Sequence, residues 1–252
     1  MTAADMDKEY RLIPGAVLLY YQDCWARFMA AHHLAAFDVI QQQKIWIISE
    51  FNAQFSSATT FWSEEVDVTV WNSELSPLRI YSDFRMTKAG TDILIACGYA
   101  CWSLLNADTK HIERTDTVEG HPETIRELTL ATHRRPRFNE NGQLLLSVEH
   151  QVNRLDLDFN GHVNNRSYLN IAMLTATDDF MQSFSPASFQ VQWLRETFLG
   201  DTIRCELYRL EDEPNAYLHL LFNGKNECVA KIHSLWAART GNEKVIDSVS
   251  RR

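Results

Sequence analysis

Apolar positions along the chain fall into two kinds of pattern. Leu18, Tyr21, Trp25, Phe28, Met29, His32, Ala35 and Ala36 recur at three- and four-residue steps, which predicts one long helix over 16–37. Pro14-Gly15 marks its start. A second helix is predicted over 163–181, with a weaker stripe of Tyr168, Ile171, Ala172, Thr175 and Phe180. Asn160-Gly161 supplies a turn before it, and Asn164 or Asn165 is placed to cap it. Each helix is followed by runs rich in Ile, Val, Trp, Tyr, Phe and Thr. The runs 44–57, 65–72, 78–87 and 92–105 read as strands, as do 189–198, 202–210, 216–223 and 228–239.

A helix followed by four strands therefore occurs twice. The last strand of each half carries a similar run, Gly98-Tyr-Ala-Cys-Trp102 in one and Ile232-His-Ser-Leu-Trp236 in the other. That pattern reads as an internal duplication. It divides the chain into units over 1–115 and 148–252, joined by a polar linker over 116–147. The fold class is α+β, each unit a long helix buried by an antiparallel sheet. Two such sheets placed edge to edge would cover each other's exposed edges.

Composition adds limits to this picture. Apolar residues make up 45% of the 252 and charged residues 23%, enough to build a core and too apolar for a disordered chain. Lys and Arg number 24 against 33 Asp and Glu, a net charge of −9, which argues against general nucleic-acid binding. No apolar run approaches the roughly 18 residues of a membrane span. The first residues carry Asp5, Asp7 and Glu9 and no apolar stretch, so neither a secretory signal nor a transit peptide is expected. The five cysteines form no paired framework, and Cys97 and Cys101 lack CxxC spacing. Free thiols in a reducing cytoplasm are the expectation.

The stretch richest in chemistry is Asp158-x-Asn160-x-His162, an acid, an amide and an imidazole directly before a helix. Alternating residues on an extended piece point to one side, so the three would converge on one cleft if the piece is extended. The helix start adds free N–H groups and a positive dipole end. Together these are the parts that stabilise an oxyanion. The first half of an EF-hand loop also matches at Asp156, Asp158 and Asn160-Gly161. Its twelfth position is Ser167 in place of a bidentate Glu, so no metal is expected.

Asp158-x-Asn160-x-His162-Val163-Asn164-Asn165-x-x-Tyr168 resembles the active-site segment of acyl-acyl-carrier-protein thioesterases from plants and bacteria. Trp193-Leu-Arg-Glu-Thr197 resembles a strand of the same family. The resemblance implies a tandem, or double, hotdog fold, no cofactor, and hydrolysis of acyl-ACP thioesters to free fatty acids in fatty acid biosynthesis. It implies Asp158, Asn160, His162 and Glu196 as catalytic residues. Where plant members often have Cys, this chain has Thr197, so a Cys nucleophile there is unavailable and carboxylate and water chemistry is expected. Asn164 and Asn165 are candidate substrate-binding residues. The first unit lacks the motif, and Tyr21, Trp25 and Phe28 on its apolar stripe are candidate lining for an acyl pocket or ordinary core. The implied partner is acyl carrier protein, which is acidic, and Arg134, Arg135 and Arg137 are the candidate docking patch. An acyl-CoA thioesterase and a non-catalytic acyl-binding hotdog protein are the alternatives, as monomer or homodimer.

Overall fold

The structure, a computed structural model, describes residues 1–8, 11–58, 60–133 and 136–239. Helix α1 spans Pro14–Ala30, with Pro14 in its first turn, where a missing N–H costs nothing. Its buried face carries Ala16, Val17, Leu18, Tyr21, Trp25 and Met29. The helix ends earlier than its apolar stripe predicts. His33 turns left-handed at φ 58°, and the Leu34 N–H returns to the Met29 carbonyl at 2.9 Å. A short helix α2, Ala36–Val39, follows.

Strands β1 (Lys44–Phe55), β2 (Val66–Ser76), β3 (Arg79–Lys88) and β4 (Leu94–Asn106) complete the first unit, with a two-residue β5 at Ile112–Glu113 beside β4. The second unit opens with β6 (Gly142–Gln151), which begins inside the stretch read as linker. Then come α3 (Asn165–Met173), α4 (Asp178–Ser183), β7 (Phe184–Trp193), β8 (Thr202–Leu210), β9 (Ala216–Phe222) and β10 (Cys228–Ala238). The predicted second helix is two helices. The Thr175 hydroxyl bonds back to the Ala172 carbonyl at 2.7 Å as α3 ends, and Thr177 caps the N-terminus of α4 by accepting from the Phe180 N–H.

The strands form a ten-stranded sheet in the order β2-β3-β4-β1-β7-β10-β9-β8-β6, with β5 off this path. The two halves meet where β1 pairs antiparallel with β7, Glu50 opposite Gln192 and Gln54 opposite Ser188. The expected edge-to-edge joining is therefore present at one edge of each unit, while β2 and β6 form the outer ends. Strands β4 and β10 hold equivalent places, each bearing the buried Trp of the repeated run, Trp102 and Trp236.

One apolar core runs through both units between helices and sheet, and α1 crosses α3 closely. A Cβ on Gly15 would lie 2.6 Å from Asn170 Oδ1. On the sheet's other face, the chain between the units is tied down at Asp83. That carboxylate accepts from the Thr129 N–H at 2.7 Å and from its hydroxyl at 2.8 Å, and it lies 2.6 Å from His133 Nε2. Burial alone would raise the Asp83 pKa. Hydrogen bonds from His133, Ser73 and Thr129 outweigh it and hold the carboxyl below the usual range. Phe138 packs against the small apolar cluster of Leu210, Ala216, Leu218 and Leu220, and Lys231 pairs with Glu140, so the same connection reaches the second unit.

Candidate active site

The Asp158 to His162 segment is not extended. Its Asp158 N–H donates to the His162 carbonyl at 2.8 Å, and the Gly161 N–H donates to the Asp158 carbonyl at 3.1 Å. Gly161 sits at φ 80°, a left-handed position that Gly fills without steric cost. Asp158 Oδ1 accepts from the N–H groups of Asn160 (2.8 Å) and His162 (3.2 Å). The carboxylate thus shapes the turn from inside, as Asp does in Asx turns. Asn160 is exposed at the tip, and its backbone, not its amide, makes the contact to Asp158. The alternation argument does not apply, because Asn160-Gly161 folds the piece into a tight loop.

His162 emerges half-buried from the far side of this turn, bridged to Phe198 on the neighbouring loop. Its ring meets the Phe198 ring edge to face at 5.1 Å. Its Nδ1 lies 3.4 Å from Glu196 Oε1. Glu196 belongs to a loop, because β7 ends at Trp193 and not beyond Glu196 as the β-rich run predicts. The Leu194 and Arg195 N–H groups both turn to the Val229 carbonyl, at 2.8 and 3.2 Å, which draws the chain out of the β7 ladder.

Thr197 fixes this loop against the motif. Its carbonyl accepts from the Val163 N–H at 2.9 Å, and its buried hydroxyl meets the Tyr168 hydroxyl at 2.7 Å. Burial, chiefly, pushes the Tyr168 phenol up to about 12, so it stays neutral as a hydrogen-bonding partner. Asn164 is the N-cap of α3 and accepts from the Arg166 N–H at 2.9 Å, while Asn165 is its first residue. The Ser167 hydroxyl donates to the Asp156 carbonyl at 3.0 Å. The helix start, the turn and the Glu196 loop are thereby locked together.

The other predicted site residues lie elsewhere. Tyr21 and Trp25 are buried in the first unit's core. The Tyr21 hydroxyl accepts from Trp102 Nε1 at 2.7 Å, Trp25 Nε1 donates to Asn72 Oδ1 at 3.2 Å, and Trp25 stacks on Trp102 at 3.8 Å. Both have the partners of core residues. Phe28 is only partly covered, edge-on to His32 at 5.4 Å. Arg137 is exposed, whereas Arg134 and Arg135 lie outside the described residues. One neighbour was not foreseen: Lys110 of the first unit, with Nζ 4.0 Å from Glu196 Oε1. No sequence signal marks a contact between residues so far apart in the chain. The five cysteines are free, and burial pushes the Cys205 thiol up to about 12. Among the described residues no helix is long and apolar enough to cross a membrane.

Residues 142–238, which carry the turn, His162 and Glu196, match the model of the acyl-ACP thioesterase C-terminal domain. A chloroplastic acyl-[acyl-carrier-protein] hydrolase of Cuphea viscosissima is 19% identical over 213 residues, covering 76% of this chain and 48% of that protein. The chain thus spans about half the length of the curated relative it matches. An acyl-ACP thioesterase from Bacteroides thetaiotaomicron superposes with a TM-score of 0.80 at 15% identity, over 94% of each chain. The 12:0-ACP thioesterase from Umbellularia californica superposes with a TM-score of 0.79 at 15% identity, over 95% of each. Residues 142–238 therefore resemble the acyl-ACP thioesterase C-terminal domain, and the chain shares the double hotdog fold of these solved structures along nearly its whole length.

Proposed function

We propose that the protein hydrolyses acyl-ACP thioesters and releases free fatty acids. The observation that carries this reading is the meeting of His162 and Glu196 beside the start of α3, within the stretch that matches the thioesterase domain. A thioester is already activated, so its hydrolysis needs an aligned water, a base and stabilisation of the oxyanion. Glu196, half-exposed and held beside His162, is placed to take the water's proton. His162 orients that carboxylate and, with the exposed Asn160 amide, supplies donors to the oxyanion. Asp158 Oδ1 is engaged with two backbone N–H groups, which leaves chemistry at Asp158, whether attack or assistance to the base, to its Oδ2.

In this reading residues 148–252 carry the chemistry, residues 1–115 shelter the acyl chain, and 116–147 connect them. Phe28 is the accessible member of the apolar stripe on α1. Asn164 and Asn165 at the start of α3 flank the thioester. Carrier docking falls to the basic run that includes the exposed Arg137. The free thiols are in keeping with a reducing, cytoplasmic home.

Hydrolysis of one acyl chain presented on acyl carrier protein and on coenzyme A tests the assignment. A kcat/KM at least about tenfold higher on the protein carrier is expected, a difference of about 1.4 kcal/mol in transition-state binding. Equal or reversed preference would assign the site to acyl-CoA instead.

A further inference from the structure

The turn after β4 is unusually well fixed. Asn106 Oδ1 accepts from the N–H groups of Asp108 (3.1 Å) and Thr109 (2.9 Å), and its amide nitrogen donates to Glu113 Oε1 at 3.0 Å. The Lys110 N–H returns to the Asn106 carbonyl at 3.0 Å, and the Asn106 N–H to the His111 carbonyl at 2.9 Å. The Ala107 N–H donates to the Gln43 carbonyl at 2.8 Å, anchoring the turn to the start of β1. Lys110 itself sits at φ 59°, a conformation that side-chain-bearing residues seldom adopt. Such strain persists where surrounding bonds over-determine it, and it gathers at functional sites.

This turn belongs to the first unit, yet its lysine reaches the second unit's Glu196, Nζ to Oε1 at 4.0 Å. The same oxygen lies 3.4 Å from His162 Nδ1. Glu196 has a long, half-exposed side chain. With His162 as its single neighbour it would sample several rotamers, each placing the carboxylate differently. A second contact from a rigid turn narrows that choice. Because the pair is exposed, it adds little to folding, and its effect belongs in turnover.

We propose that Lys110 is a positioning residue of this site, the first unit's ammonium holding the Glu196 carboxylate toward His162. The inference rests on the hydrolase reading. It gives the motif-less unit a direct part in the chemistry, besides shelter for the acyl chain.

The test uses the full chain and an uncharged N-acetylcysteamine acyl thioester, so that carrier docking plays no part. Lys110→Met should lower kcat about fivefold, the upper range for an exposed ion pair, with KM within about twofold. Lys110→Arg should restore most of the rate. Lys110→Asn, a residue type that tolerates the left-handed backbone, should repeat the loss with an unchanged melting temperature. Rising ionic strength should reduce wild-type kcat and leave Lys110→Met flat, because salt screens an exposed pair. A Lys110→Met or Lys110→Asn enzyme at wild-type kcat, a change confined to KM, or no rescue by Arg overturns the role of Lys110 alone. A wild-type chain that hydrolyses no acyl thioester overturns the hydrolase reading, and the role of Lys110 falls with it.

Discussion

At the residue scale, Thr197 shows how the site is held without a cysteine. Its hydroxyl is buried against the Tyr168 hydroxyl at 2.7 Å, one residue after Glu196. Thr197→Val keeps the shape and takes from the buried Tyr168 hydroxyl its side-chain partner. It should cost about 1–3 kcal/mol in urea denaturation, and adding Tyr168→Phe should recover most of that loss. A single variant as stable as wild type would show that the pair does not fix the loop. The Asp158-x-Asn160-x-His162 run stands out in the sequence because an acid, an amide and an imidazole lie at tight spacing, whereas Glu196, far downstream, was singled out only through the family resemblance. The arrangement of these residues was not legible. Alternation placed three side chains on one side of an extended piece, but Gly161 and the Asp158 carboxylate close a turn there. Lys110 was invisible because its contact exists only after two distant segments pack.

At the element scale, β-branched and aromatic runs located the strands, since such residues fit a pleated, half-buried surface. Strand β8 falls on its predicted bounds, Thr202–Leu210. Boundaries failed where local hydrogen bonds outweigh pattern: His33 stops α1, Thr177 restarts a helix, and the Val229 carbonyl draws Leu194 and Arg195 off β7. Strand β6 escaped notice because it lies at the sheet's end, where Leu144, Leu145 and Leu146 are exposed in succession and show no alternation. Gly98 marks the tightest approach between β1 and β4, and a Cβ there would fall 1.8 Å from the Asn52 carbonyl oxygen. Gly98→Ala should therefore lose about 3 kcal/mol of stability, whereas Gly224→Ala, with open space around it, should stay within about 0.5 kcal/mol. Equal chemical-denaturation midpoints for the two variants would contradict this close approach.

At the scale of the whole molecule, the duplication is legible in sequence because both halves repeat an order of elements and a buried Trp. Edge-to-edge joining was expected from the exposed edges, but which strands meet was not, since the pairing of β1 with β7 leaves no local signature. The joined sheet and the shared core make the units interdependent, and Lys110 extends that dependence to the site. The net charge of −9 sets a further demand on the proposed function, because an acidic carrier would have to find basic residues on an acidic protein. The central claim is that the Asp158, His162 and Glu196 constellation cleaves acyl-ACP thioesters. Its most direct test is the rate of fatty acid release across an acyl-ACP chain-length panel. Wild type is compared with His162→Ala, Glu196→Ala and Asp158→Asn, the last retaining an oxygen acceptor for the turn. At the preferred chain length, His162→Ala should fall roughly 100- to 1000-fold, with the other two also strongly impaired and all three folded. Wild-type rates in all three variants would contradict the account.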